Sequence, residues 1–495
     1  MDVSVIGRML STLPEADDHP YRTGAWTPQM TEYDVVDCDV VGELPDDLDG
    51  IYLRNTENPV HDALGRYHPF DGDGMLHMMR FGNGQAEYRN RFVRTAGLEA
   101  ENAAGGPLWA GILEPAARSE RDGWGARTRM KDASSTDVAM HNGRAITSFY
   151  QCGDLYAFDP ATLEQLGTES WHGAFPSDWG ISAHTKTDEH TGELLVFNYA
   201  ATAPYMHYGV VGADNKLKHY IPVPLPGPRL PHDMAFTTNY SILNDLPVFW
   251  EPELLEKNLH VVRFHREMRS RFGILPRYGK PEDIKWFEAD PTYVLHFLNA
   301  FEDGDEVVLD GYFEENPEPK SSNSAPAGYE RIMAFLDQNE LRPKLHRWRF
   351  NMKTGETQEQ RLDDRILEFG VINNQYAGLP YRYGYSAVSK PGWFLFTGLV
   401  KHDLKSGESW AIDFGEERYG SEPGFAPRVG AVDEDDGYLV TFVTDMIADR
   451  SECVVYDAKK LAEGPVCRIV LPGRMSSGTH ATWGQGQAIR AAQGK

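Results

Sequence analysis

The stretch DLKSGESWAIDF, residues 403–414, reads as the end of one strand, a turn opened by Asp and closed by Gly, and the start of a second strand. Related connectors recur: DPATLEQLG (159–167), DEHTGELLVF (188–197), NMKTGETQEQRL (351–362) and DAKKLAEGPVCRIVL (457–471). Between them lie short apolar or alternating runs: GIYLRN (50–55), MLHMMRF (75–81), AITSFY (145–150), LLVFNYA (194–200), VVLDGYF (307–313), WFLFTGL (393–399), GYLVTFV (437–443) and CRIVLP (467–472). Such runs at this spacing are strands. A degenerate strand–turn–strand unit repeated with irregular spacing predicts an all-β fold, a β-propeller whose blades carry insertions, in preference to two stacked all-β domains.

Composition narrows the function. A formal charge of −26 over 495 residues excludes a phosphate-binding surface and with it nucleic acid. Cys38, Cys152, Cys453 and Cys467 lack CxxC spacing and read as reduced, buried thiols. No run approaches the ~18 apolar residues of a membrane span, and the start MDVSVIGRML lacks the features of a signal peptide, so a cytoplasmic protein is expected. One segment breaks the strand pattern. In PELLEKNLHVVRFHREMRSRF (252–272), Leu255, Leu259 and Val262 fall at helical spacing among basic residues, which predicts an amphipathic helix within an insertion at 250–275. Such a helix either touches a membrane surface peripherally or packs on the propeller top.

Most of the seventeen histidines sit in polar or turn-like contexts. His184 in ISAHTKTD, His232 in LPHDMAFT, His296 in YVLHFLNAFE and His480 in SSGTHATW differ, each at the edge of a strand-like run on a separate segment. Singly, each reads as a core histidine. Together, on separate blades, they can aim at one axis. FDGDGM (70–75) lacks the downstream glutamate of a calcium loop and reads as a structural turn.

GELPDDLDGIYLRNTENP (42–59), HPFDGDGMLHMMRF (68–81), SAHTKTDEHTGEL (182–194), PHDMAFTTNYSI (231–242), HFLNAFEDGDEVVLD (296–310) and SEPGFAPR (421–428) together resemble the carotenoid cleavage oxygenase family. That family also includes lignostilbene- and isoeugenol-cleaving enzymes and the retinoid isomerohydrolase. The resemblance implies a seven-bladed propeller over 31–490, preceded by an extension at 1–30, with loop and helical insertions capping the active-site face. It implies one Fe(II) per chain held by His184, His232, His296 and His480. Four neutral imidazoles suit Fe(II) and leave two positions of an octahedron open. Of three expected carboxylate partners for the ligands, Glu368 and Glu422 match, whereas the first position is Gln151, which accepts a hydrogen bond without adding charge. Asp233 and Glu302 are further candidate partners or turn caps. Thr136 corresponds to the threonine that crowds one open iron position.

The implied reaction splits an apolar alkene with O2 into two carbonyl products. Phe70, Tyr150 and Phe301 are expected along the substrate path, with Trp109, Phe149, Trp179 and Tyr205 as further candidates. The phenol-cleaving branch uses a lysine and a tyrosine to hold a phenolate; here those positions are Tyr150 and the neighbourhood of Ile112. A buried phenolate without a cation is costly, which favours a carotenoid or apocarotenoid over a stilbene or phenylpropenoid. An isomerohydrolase on the same histidines, and a metal-free propeller acting as an interaction platform, are the competing readings.

Overall fold

In the computed structural model the described residues are 1–112, 114, 116–121, 131–175, 179–255, 262–317, 341–392 and 394–494. The Asp-started turns recur as expected. Asp403 Oδ1 accepts the amides of Lys405 and Ser406, Gly407 takes φ +78°, and its N–H returns to Asp403 O. Asn351, with Gly355 at φ +82°, and Asp188, with Gly192 at φ +70°, build the same turn. The carboxylate or carboxamide oxygen replaces a backbone acceptor, and glycine supplies the left-handed residue that an L side chain resists. Gly407 has no atom within 4 Å of an added Cβ, so Gly407→Ala is expected to cost about 1 kcal/mol from backbone strain alone, read as a lower urea midpoint.

Seven antiparallel blades result. The innermost strands are Ala481–Gln485, Asp137–His141, Lys186–Asp188, Ala235–Phe236, Phe297–Asp303, Leu367–Val371 and Gly424–Pro427. Strand Ala481–Gln485, near the C-terminus, pairs with Gly50–Glu57 in the first blade, so the two ends of the chain close the ring within one sheet. Strand Arg418–Gly420 bridges the last two blades by pairing with both Phe396–Asp403 and Gly437–Asp445. Apolar side chains fill the spaces between blades; in the largest cluster Phe272 packs against Phe297, Trp348 and Phe350 at ring distances of 5.3–6.3 Å.

Within the 1–30 extension, Asp2–Arg8 pairs with Thr31–Asp37 at the outer edge of the first blade. One expectation needs correction. Of the helix expected over 252–272, the described residues hold one turn, Pro252–Leu255, while residues 256–261, with Leu259, lie outside the described residues. From Val262 the chain is extended: Val262–Phe264 pairs with Val248–Trp250, and Ser270–Pro276 pairs with Tyr240–Asp245. Its basic residues are spent singly across strands, Arg271 on Asp245 and over the Trp286 ring, Arg269 on Asp290, Arg266 over Phe264. Pairing and burial of Phe272 and Ile274 outweigh a helical spacing that only three apolar residues supported. No helix among the described residues is long and apolar enough to cross a membrane, and all four cysteines are free and buried.

Candidate metal centre on the propeller axis

Each inner strand begins at the axis, so the residue just ahead of it faces its counterparts from the other blades. His184 precedes Lys186–Asp188, His232 precedes Ala235–Phe236, His296 precedes Phe297–Asp303, and His480 precedes Ala481–Gln485. Thr136 precedes Asp137–His141, Glu368 lies within Leu367–Val371, and Glu422 precedes Gly424–Pro427. The four imidazoles are buried, and five of their six ring pairs have centroids 4.5–5.3 Å apart, His184 lying 4.7, 4.9 and 4.5 Å from His232, His296 and His480. His184 holds a left-handed backbone at φ +59°, a local strain of the kind that concentrates at functional sites.

Carboxylates hold the outward nitrogens of three rings. His296 Nδ1 is 2.6 Å from Glu368 Oε2, His480 Nδ1 is 3.2 Å from Glu422 Oε2, and His184 Nδ1 is 3.0 Å from Asp137 Oδ2. The Nε2 atoms therefore face inward. Those of His184 and His232 stand 3.1 Å apart, and that of His296 is buried with no partner among the described residues. Nitrogen atoms of His184, His232 and His296 all lie within 4.8 Å of one another, a spacing that one ion can satisfy. Burial drives the pKa values of these three well below the ordinary histidine value, leaving the neutral imidazoles that ligation requires. At His480 burial works the same way, but the Glu422 carboxylate outweighs it and lifts the pKa to about 9. Glu368 is pushed up to about 8 by burial. Buried, convergent, carboxylate-oriented imidazoles fit a divalent transition metal.

The other expected residues divide. Thr136, Phe70 and Tyr150 line a small cavity against His232, His296 and His480. Its remaining wall is Leu295, Phe369, Phe394, Thr479 and Glu57, none of which was singled out, although Glu57, Leu295 and Thr479 lie within the stretches quoted above. A second cavity, about 200 Å³ and lined in part by Asp137, Lys186, Asp233 and Asn299, shares His296 and His480 with the first.

Gln151 does not reach an imidazole: its Nε2 donates to Tyr150 Oη at 3.1 Å and its Oε1 is buried without a partner among the described residues. Asp137, which sequence reasoning passed over, is the carboxylate on His184. Asp233 is occupied by Lys186 and by the amides of Met234 and Phe297, and Glu302 caps the turn at Thr237 and Asn239, so neither holds a histidine. Phe301 stacks edge-on with Tyr381 and under Arg347, away from the small cavity. Trp179 packs on His207 and Phe149 on Tyr150; neither they nor Trp109 and Tyr205 line the small cavity. FDGDGM is structural: Asp71 accepts the Ile112 amide, while Asp73 accepts that of Val60 and pairs with Lys131.

Comparison with known proteins agrees with this geometry. The profile of the retinal pigment epithelial membrane protein family matches residues 26–485. A carotenoid 9,10(9',10')-cleavage dioxygenase 1 of Phaseolus vulgaris is 33% identical, over 95% of this chain and 90% of that protein. An isoeugenol monooxygenase of Pseudomonas putida is 30% identical, over 94% and 98%. The crystal structure of a lignostilbene dioxygenase of Pseudomonas brassicacearum superposes with a TM-score of 0.84 at 27% identity, covering 96% of this chain and all 100% of that one. With matches spanning almost its whole length, the chain belongs to the carotenoid cleavage oxygenase family and is an oxygenase that cleaves carbon–carbon double bonds.

Proposed function

We infer that this protein is an Fe(II)-dependent dioxygenase that splits a double bond of a carotenoid or apocarotenoid into two carbonyl products, with His184, His232, His296 and His480 as the iron ligands. The convergence of four buried imidazoles, three of them oriented through Nδ1 by Asp137, Glu368 and Glu422, carries the reading. The iron, when bound, supplies the activation of O2. The chain supplies the rest. The three carboxylates keep protons on the outward nitrogens, so that the inward ones present lone pairs. Phe70, Tyr150, Leu295, Phe369 and Phe394 exclude water and press an apolar alkene against the imidazoles. Thr136 is anchored there, its Oγ1 accepting the Tyr150 amide at 3.1 Å, and narrows one approach to the centre.

Among the described residues no lysine or arginine lines the small cavity, so a phenolate would lie there without a counter-charge, whereas a polyene needs none. The likeness to the lignostilbene dioxygenase favours the second reading, cleavage of a stilbene or phenylpropenoid by the same centre. Iron-loaded protein incubated separately with a β-apocarotenal and with resveratrol, followed by identification of the aldehydes, decides between them. Cleavage of the apocarotenal is expected, and cleavage of resveratrol alone would overturn the assignment. Gln151→Glu is expected to keep or raise the iron content measured by elemental analysis; a clear loss would show that the carboxamide supports the centre.

A further inference from the structure

Glu57 closes strand Gly50–Glu57 in the blade that also contains Ala481–Gln485. Two residues before it, the Asn55 amide donates to the carbonyl of His480 at 2.9 Å, which fixes this strand against a metal-centre histidine. The side chain is 2% exposed and lines the small cavity with Phe70, Thr136 and Tyr150. Among the described residues lining that cavity it is the only carboxyl. Oε1 accepts from Thr479 Oγ1 at 2.8 Å, and the same hydroxyl lies 3.1 Å from the Thr136 carbonyl, so the carboxyl group is held in place. Oε2 is buried and has no partner among the described residues. Unlike Asp137, Glu368 and Glu422, Glu57 holds no imidazole.

A buried carboxyl oxygen without a partner is costly, and it belongs to a side chain that lines the cavity in which an apolar alkene would lie. A purely hydrocarbon substrate would leave that cost in place. The kinds of polar group that could relieve it differ sharply. An ammonium would enter an apolar cavity beside imidazoles suited to a dication, and a carboxylate or phenolate would meet Glu57's own charge. A ketone only accepts and so matches only the protonated acid. A neutral hydroxyl matches both forms, donating to the carboxylate or accepting from the acid.

The geometry points to Glu57 as a specificity-determining residue that hydrogen-bonds a neutral hydroxyl of the alkene substrate through Oε2, so that the site selects a hydroxylated alkene over its hydroxyl-free counterpart. This deepens, and rests on, the reading of the small cavity as the substrate site. Because Glu57 is fixed relative to the histidines, the selected hydroxyl lies at a set number of carbons from the double bond that is cut.

The test uses metal-loaded protein with apocarotenols of stepped chain length, each paired with its methyl ether, which keeps the oxygen but removes the donated hydrogen. Affinity is read from quenching of tryptophan fluorescence, and KM and kcat are read from aldehyde formation. At one chain length the alcohol is expected to bind about tenfold or more tightly than its ether, in line with sites built to hydrogen-bond a substrate hydroxyl. In Glu57→Leu that ratio falls to about one with metal content unchanged, and in Glu57→Gln, whose amide can still pair, part of it returns. Equal affinity for alcohol and ether at every length, an unaltered ratio in Glu57→Leu, or loss of metal from that variant would each overturn the assignment. A hydroxyl preference that depends on Glu57 without cleavage of any alkene would sustain it while removing the proposed reaction.

Discussion

His296→Ala is expected to strip the protein of stoichiometric iron and to lower alkene cleavage by more than about 100-fold, since losing a ligand exceeds the 10–100-fold typical of losing a ligand's partner. His296 is the ring held most tightly, at 2.6 Å from Glu368, and its Nε2 has no other partner among the described residues. Removing it leaves three imidazoles and a cavity where the fourth stood. The substitution also frees Glu368, yet its Oε2 keeps the Phe369 amide at 3.0 Å, so the strand retains its local bonding. Elemental analysis, cleavage assay and circular dichroism together read the outcome. A folded variant with full iron content and activity would remove His296 from the ligand set.

Asp137→Ala is the second large effect. Asp137 opens the inner strand of its blade, directly after Thr136, and its Oδ2 lies 3.0 Å from His184 Nδ1. Without it the His184 ring loses the acceptor that fixes its tautomer, in a backbone already held at φ +59°. Iron affinity is expected to fall by about 10–100-fold, measured by competition with a chelator. Asp137→Asn, which still presents a carbonyl oxygen, should lose less. Equal iron affinity in the alanine variant would mean that His184 is oriented by its blade alone.

The oxygenase assignment and the polar neighbour Glu57 bear on each other. Phe70 and Tyr150 line the small cavity together with Leu295, Phe369, Phe394 and Glu57, which no expectation singled out.

The sequence by itself determined the blade turns, because their physics is local. Asp188, Asn351 and Asp403 bond amides two and three residues onward, and Gly192, Gly355 and Gly407 supply the left-handed residue within the same few positions. It also marked the four histidines, through their place at strand edges and the motifs around them. The rest was decided by closure of the ring. Asp137 meets His184 across 47 residues, Glu422 meets His480 across 58, and Glu368 meets His296 across 72, separations at which no spacing rule operates. The same closure set Val262–Phe264 and Ser270–Phe272 of the expected helix 252–272 into strands, and Phe301 packs on Tyr381 rather than in the cavity that Phe369 helps to wall. Local hydrogen bonding writes itself into consecutive residues, whereas proximity on the axis exists only once all seven blades have closed, and nothing within one blade encodes which side chain of another will face it.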